Sequence, residues 1–248
     1  MTRAARIAAL LTVAVQVPVA SPADATVSGR FRSSGVKRTY AAYLPPTGHP
    51  HPLVILLHGS GGTGHDMVER WRDLAGREGI LLAAPDATDP RQWQPPQDGP
   101  NLLRDLVEEL APHDIDRRRI YLFGYSAGAV FTLYMAPLES EYFAAAATHA
   151  GGYNGEADLD FLDRAPRKIP LFLSVGARDA LFPQPLFLTT VQRLEHAGFP
   201  VTTWVLKDSP HGYEPSADIN ERAWRFLRQH VLDRDPVFAP VPFRSSSR

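Results

Sequence analysis

The sequence predicts an α/β domain built on an eight-stranded, mostly parallel sheet with helices on both faces. Three observations carry this. Short apolar runs recur along the chain with little polar alternation, as strands buried on both faces require. Stripes of helical period fall between those runs. The chain of 248 residues, 44% hydrophobic and 21% charged, is long enough for one domain with a sizeable core, and it shows no repeat or low-complexity linker that would divide it.

The elements follow in order. Thr26 to Arg32 and Lys37 to Leu44 read as two strands joined by a turn at Ser33-Ser34-Gly35. Leu53 to Leu57 is a continuous apolar run ending near a glycine. Ile80 to Ala84, Arg119 to Phe123, Phe143 to Thr148, Leu171 to Val175 and Val201 to Leu206 repeat the pattern. Between them, Met67, Trp71, Leu74 and Ala75 share one helical face, as do Leu102, Leu103, Leu106, Val107 and Leu110. Ala127 to Ala136 is helix-compatible, with Pro137 as its stop. Phe187, Val191 and Leu194 form another stripe, and Ile219, Ala223, Phe226, Leu227 and Val231 a last one. Strand alternating with helix implies a parallel sheet, whose carboxyl edge is where active sites collect. Residues 26–232 are thus the expected domain, and 233–248 an irregular tail rich in proline and serine.

Composition excludes several classes. The formal charge of −1 gives no electrostatic case for a nucleic-acid partner. The absence of cysteine excludes disulfides, thiolate metal sites and a lipidated N-terminal cysteine. At the N-terminus, Arg3 and Arg6 precede the largely apolar run Ile7 to Ala20, and Ala23-Asp24-Ala25 offers a small-x-small cleavage site. That order predicts a signal peptide over residues 1–25 and a secreted or periplasmic protein. The run is short for a membrane span and is interrupted by Pro18, so no stable membrane association is expected.

The candidate chemistry begins at Gly124-Tyr125-Ser126-Ala127-Gly128. A bare G-x-S-x-G is a weak signal. Here it sits between a buried-strand run and a helical segment, where a tight turn lifts a serine hydroxyl above the sheet edge and needs small residues on both sides. Ser126 is therefore the candidate nucleophile, the alternative being a purely structural turn.

A serine hydroxyl needs a base to take its proton. Among nine histidines, His211 lies in a short loop after the last core strand, on the correct edge of the sheet. His49 and His51 lie in a proline-rich loop before the third strand, His65 opens a surface helix, and His113, His196 and His230 lie near helix C-termini. His149 ends a strand and is a candidate pocket residue. The base in turn needs a carboxylate to hold its tautomer. Asp179 follows the strand Leu171 to Val175; Asp208, three residues before His211, is the rival and reads as a local turn residue. The chain order Ser, Asp, His favours Asp179. For the oxyanion, one backbone donor is expected at Ala127, the residue after the nucleophile. A second is expected at Ser60, with Gly61 next, in the glycine-rich loop His58 to Gly62; that loop lacks the spacing and the Lys-Ser/Thr pair of a phosphate-binding loop. Trp93, Tyr125 and Tyr153 are candidate substrate-binding residues or, equally, packing residues. The constellation needs no metal and no organic cofactor.

Read together, the segments LHGSGG, RIYLFGYSAG, VGARDALFP and DSPHGY resemble the α/β-hydrolase superfamily, and most closely its secreted poly(3-hydroxybutyrate) depolymerase and feruloyl esterase group. The stretch Asp114 to Tyr121 and the early strand Arg38-Thr39-Tyr40 to Pro45 are similar to that group as well. The resemblance spans most of residues 26–232. It implies a serine esterase acting through an acyl-enzyme on a small-molecule or polymeric ester, with Ser126, Asp179 and His211 as the triad and Ser60 and Ala127 as oxyanion donors. Two alternatives stand beside it: a serine peptidase on the same scaffold, and a non-catalytic binding protein that keeps the fold. The segment of about residues 150 to 169 is short, so little or no lid is expected; the proline-rich stretch Asp89 to Pro100 is the other place a cover could form.

Overall fold

The computed structural model describes residues 26–46, 50–153, 159–214 and 218–242. The expected signal peptide, and His49 with it, lie outside the described residues. Eight strands form one sheet: β1 (Thr26–Ser33), β2 (Val36–Tyr43), β3 (His51–Leu57), β4 (Leu81–Pro85), β5 (Ile115–Tyr125), β6 (Ala145–His149), β7 (Leu171–Arg178) and β8 (Val201–Pro210). Their order across the sheet is β1-β2-β4-β3-β5-β6-β7-β8. β1 and β2 pair antiparallel, as do β2 and β4; all other neighbours are parallel. The β1–β2 hairpin turns on Ser34 and Gly35, both at positive φ (48° and 81°). A two-residue turn of that hand matches the twist of its strands, and it is why a glycine stands there.

The helices are α1 (Gly64–Glu78), α2 (Pro100–Glu109), α3 (Ala127–Leu138), α4 (Asp160–Arg164), α5 (Gln184–His196) and α6 (Ile219–Leu227). α1 starts in a reciprocal cap between Thr63 and Asp66 and stops at Gly79 in the left-handed region. α1 and α6 bury Met67, Trp71, Ala223 and Trp224 with Val54, Leu56 and Phe123 on one face of the sheet. The other helices bury Leu103, Phe131, Phe161 and Phe187 with Ile55, Leu57 and Leu173 on the opposite face. The central strands are consequently closed to solvent on both sides, which is what their unbroken apolar runs required.

Two expectations need correction. Pro137 does not stop α3, which continues to Leu138. The carbonyl that a residue at 137 would normally bond is that of Leu133, and the Tyr153 hydroxyl donates to it instead at 2.7 Å. Val231 does not belong to the face of α6: the helix ends at Leu227, Val231 is exposed, and Trp224 and Leu232 are buried in its place. The described part of the tail, residues 233–242, is irregular, and it is docked on the domain. Val237 and Val241 donate backbone hydrogen bonds to Glu141 and Leu138, and Phe238 packs edge-on against Tyr142.

Candidate active site

The carboxyl ends of β5, β7 and β8 carry the three residues that the sequence singled out. Ser126 sits between β5 and α3 at φ 53°, ψ −116°. A non-glycine residue is rarely found there, and holding it costs roughly 1–3 kcal/mol. The turn closes because its flanks are bare. A Cβ on Gly124 would lie 2.1 Å from the Gly128 carbonyl oxygen, and one on Gly128 would lie 2.0 Å from that of Leu57. The Ser126 N–H is held by the His149 carbonyl at 3.0 Å.

His211 follows β8 and places its Nε2 3.1 Å from Ser126 Oγ. Its Nδ1 lies 2.8 Å from Asp179 Oδ2. An ionised carboxylate only accepts, so Nδ1 carries the proton and Nε2 offers its lone pair to the serine. Asp179 is 3% exposed. Its other oxygen accepts the N–H groups of Leu181 and Phe182 at 2.9 and 2.8 Å, which locks the carboxylate in place. Asp208, the rival, is exposed and bends the chain at φ 59°. Its carbonyl is held by Arg178 (Nε at 2.8 Å).

The glycine-rich loop reaches over the serine. A Cβ on Gly59 would lie 3.1 Å from Ser126 Cβ. Ala127 is the first residue of α3, so its N–H has no acceptor within the helix. Of the two candidates for the second donor, Gly61 is committed elsewhere, its N–H donating to Pro90 at 2.7 Å. Ser60 lines the same cavity as Ser126 and Ala127. The loop is braced by buried His58, whose Nε2 accepts the Ala87 N–H at 3.1 Å while Nδ1 faces the Gly59 carbonyl at 2.8 Å.

That cavity, about 570 Å³, is walled by Trp93, Pro95, Phe131, Tyr134, Leu181 and Phe182. Trp93 is a cavity wall: its ring stacks on Phe131 (centroids 4.7 Å apart, 6° between planes), and its indole N–H donates to the His58 carbonyl at 3.0 Å. Tyr125 and Tyr153 are not. Tyr125 stands behind the base, its ring roughly parallel to those of His149 and His211 at 5.9 and 5.7 Å. Tyr153 is fully buried beneath Tyr134, held by the hydrogen bond to Leu133. Leu181 and Phe182 stand two and three residues after Asp179, inside a segment already singled out; Phe131 and Tyr134 gave no signal beyond helical period. A larger cavity of about 780 Å³ lies on the other side of the 58–62 loop, against β1 and β2, and does not reach Ser126. Among the described residues no group of three or more histidine, aspartate or glutamate side chains is placed to hold a metal ion.

The sheet order, the serine turn and the placement of acid and base after β7 and β8 define the α/β-hydrolase fold. The chain belongs to the phospholipase/carboxylesterase family, which it matches over residues 96–224. It is 30% identical over 143 residues to a putative esterase, NocK, of Nocardia uniformis subsp. tsuyamanensis, covering 52% of this chain and 40% of that protein. It is 26% identical over 160 residues to the bifunctional acetylxylan esterase/xylanase XynS20E of Neocallimastix patriciarum, covering 62% of this chain and 23% of that one. The chain thus spans less than half the length of these curated relatives. In three dimensions it is similar to a putative dienelactone hydrolase from Klebsiella pneumoniae subsp. pneumoniae MGH 78578. The TM-score is 0.66 and the identity 23%, over 83% of this chain and 99% of that one.

Proposed function

We propose that this protein hydrolyses carboxylic esters through an acyl-enzyme on Ser126. The observation that carries the proposal is the continuous relay from Ser126 Oγ through His211 to Asp179, at 3.1 and 2.8 Å. In this reading Ser126 Oγ attacks the ester carbonyl carbon while His211 Nε2 takes its proton. Asp179 keeps the imidazole in the required tautomer and stabilises the imidazolium. The Ala127 and Ser60 N–H groups hold the oxyanion. The intermediate collapses, the alcohol leaves with the proton from His211, and the acyl group stays on Ser126. Water, deprotonated by His211, then releases the acid. The aromatic and aliphatic walls favour an apolar acyl group, which gains roughly 25 cal/mol for each Å² withdrawn from water.

Export is part of the proposal. It is supported by the order of Arg3 and Arg6, the apolar run and the small-x-small site in residues 1–25. Among the described residues no helix is long and apolar enough to cross a membrane.

The test is turnover of p-nitrophenyl butyrate beside peptide anilides, with fluorophosphonate labelling read by mass spectrometry. Ester turnover with the label on Ser126, and a loss of about 10⁶-fold in Ser126→Ala, are the expected results. Faster anilide cleavage would give the site to a peptidase. A Ser126→Ala protein that keeps a tenth of wild-type turnover would remove Ser126 as nucleophile.

A further inference from the structure

We propose that His149 is a positioning residue for His211, tying the loop that carries the base to the strand end that carries the nucleophile. The inference rests on the ester-hydrolase reading of the same site. His149 ends β6, the strand between those that lead to Ser126 and Asp179. Its carbonyl accepts the Ser126 N–H at 3.0 Å. Its ring Nε2 lies 2.9 Å from the carbonyl oxygen of Gly212, the residue directly after His211. One residue therefore holds the backbone of Ser126 on one side and, through its ring, the backbone of His211's neighbour Gly212 on the other.

The proton count fixes how the ring works. A carbonyl can only accept, so Nε2 is protonated. Nδ1 lies 3.0 Å from the hydroxyl of Ser174 on β7, which is itself 2.9 Å from the Thr148 carbonyl. The single Ser174 proton can serve Thr148 or Nδ1 but not both; with Nε2–H committed to Gly212 a neutral ring leaves Nδ1 as an acceptor, so the hydroxyl gives up the Thr148 carbonyl and donates to Nδ1. Burial pushes His149 down to about 4, which keeps the ring neutral at neutral pH.

The other anchors of the loop bear on different points. Arg178 holds the Asp208 carbonyl and pairs with Pro210, both before His211. After it, the Tyr213 hydroxyl accepts the Trp71 indole N–H at 3.0 Å, which fixes the chain to α1. The Gly212 carbonyl is where the loop is gauged against the end of β6, whose last residue, His149, also holds the Ser126 N–H through its carbonyl. A base displaced by about 1 Å costs on the order of 10²-fold in rate. A carbonyl left without its donor gives the loop a reason to move.

The experiment is a double-mutant cycle on p-nitrophenyl butyrate, with fluorophosphonate labelling in parallel. His149→Phe keeps a ring and removes both nitrogens. It is expected to lower kcat about 10–100-fold, with KM changed less than about twofold. His149→Gln can still offer an N–H to Gly212 and is expected to recover activity to within about fivefold of wild type. If His149 acts through His211, then His211→Ala costs about 10–100-fold less in the His149→Phe background than in wild type. A merely structural role would leave the two losses multiplicative. Wild-type turnover in His149→Phe, failure of glutamine to rescue, or independent losses in the double variant each overturn the inference. Labelling of wild-type Ser126 reports on the ester-hydrolase reading separately: a labelled wild type with independent losses sinks only the His149 role, whereas a wild type labelled nowhere sinks both.

Discussion

Asp179→Asn and Asp208→Asn change the two aspartates nearest the base in the same way, and the structure assigns them opposite consequences. Asp179 Oδ1 takes two backbone N–H groups, from Leu181 and Phe182, while Oδ2 faces His211 Nδ1 at 2.8 Å. An asparagine has one acceptor oxygen and one donor group. The two N–H donors claim the oxygen, so the amide NH₂ must face Nδ1. Nδ1 then has to accept, the ring proton moves to Nε2, and the ring presents an N–H to Ser126 where a lone pair is needed. The same inversion in the best-studied serine protease triad costs about 10⁴-fold in kcat, and a loss of that order is expected here. Asp208 is exposed and holds φ 59°, a conformation asparagine tolerates as well as aspartate. Its substitution should change turnover less than about twofold, within the usual range for a surface position. Initial rates of p-nitrophenyl butyrate hydrolysis, with the circular dichroism melt of each variant as a folding control, decide the matter. Comparable losses in the two variants, or a larger one for Asp208→Asn, would refute the hydrogen-bond argument.

Two further outcomes follow from features away from the relay. Glu139 is 2% exposed with neither carboxyl oxygen hydrogen-bonded, and burial pushes it from 4.5 up to about 8. Across that window the unfolded chain is ionised and the folded one protonated, so stability falls as pH rises, by at most about 1.4 kcal/mol per unit, and levels off above pH 8. His149, pushed from 6.5 down to about 4, contributes the opposite slope below pH 6.5. Urea titrations from pH 5 to 8 should therefore show Glu139→Gln losing the decline that wild type displays between pH 6.5 and 8; parallel profiles would contradict it. Separately, hydrolysis of tributyrin should saturate smoothly through its solubility limit, because the serine already faces an open cavity. A sharp rise on crossing that limit would reveal a cover that opens at an oil surface.

Much of this molecule was legible because its central strands are buried on both faces. Leu53 to Leu57 and Ile120 to Phe123 have no polar positions to confuse a reading, and the order of the serine turn, acid loop and base loop along the chain survives folding unchanged. What sequence did not reveal are partnerships between distant groups. Pro137 reads as a helix stop because a proline in a helix interior costs about 3 kcal/mol. Here it stands in the last turn, and the carbonyl it frees is satisfied by Tyr153, a residue the sequence placed among candidate pocket walls. Nothing local joins positions 133, 137 and 153. The cavity beside Ser126 is tertiary in the same sense: Trp93, Phe131 and Phe182 come from three separate segments and meet only above the sheet edge.

The stretch from Asp89 to Pro100 holds another such partnership beside the candidate site. Taken alone it is a proline-rich excursion beside the active site, the kind of segment from which a mobile cover is made. In the structure it is fastened at both edges. The buried Asp98 carboxylate accepts from the Thr88 hydroxyl at 2.8 Å, from the Gln94 N–H at 2.8 Å and from the Arg38 guanidinium, so the stretch folds back on its own acid. Arg38 belongs to β2, and the side chains of this pair are 4% and 0% exposed. Toward the site, the Trp93 indole N–H holds the His58 carbonyl and Pro90 accepts the Gly61 N–H. Lifting the stretch as a lid would part a buried ion pair. Breaking such a pair by removing one partner costs about 3–5 kcal/mol, and parting it by motion exposes the same uncompensated charges. At 1.4 kcal/mol per decade, an open form would be populated at about one part in 10² to 10⁴. The wall of the cavity and the brace of the 58–62 loop are therefore fastened together, anchored in β2, which lies toward the opposite edge of the sheet from the strand that leads to His211.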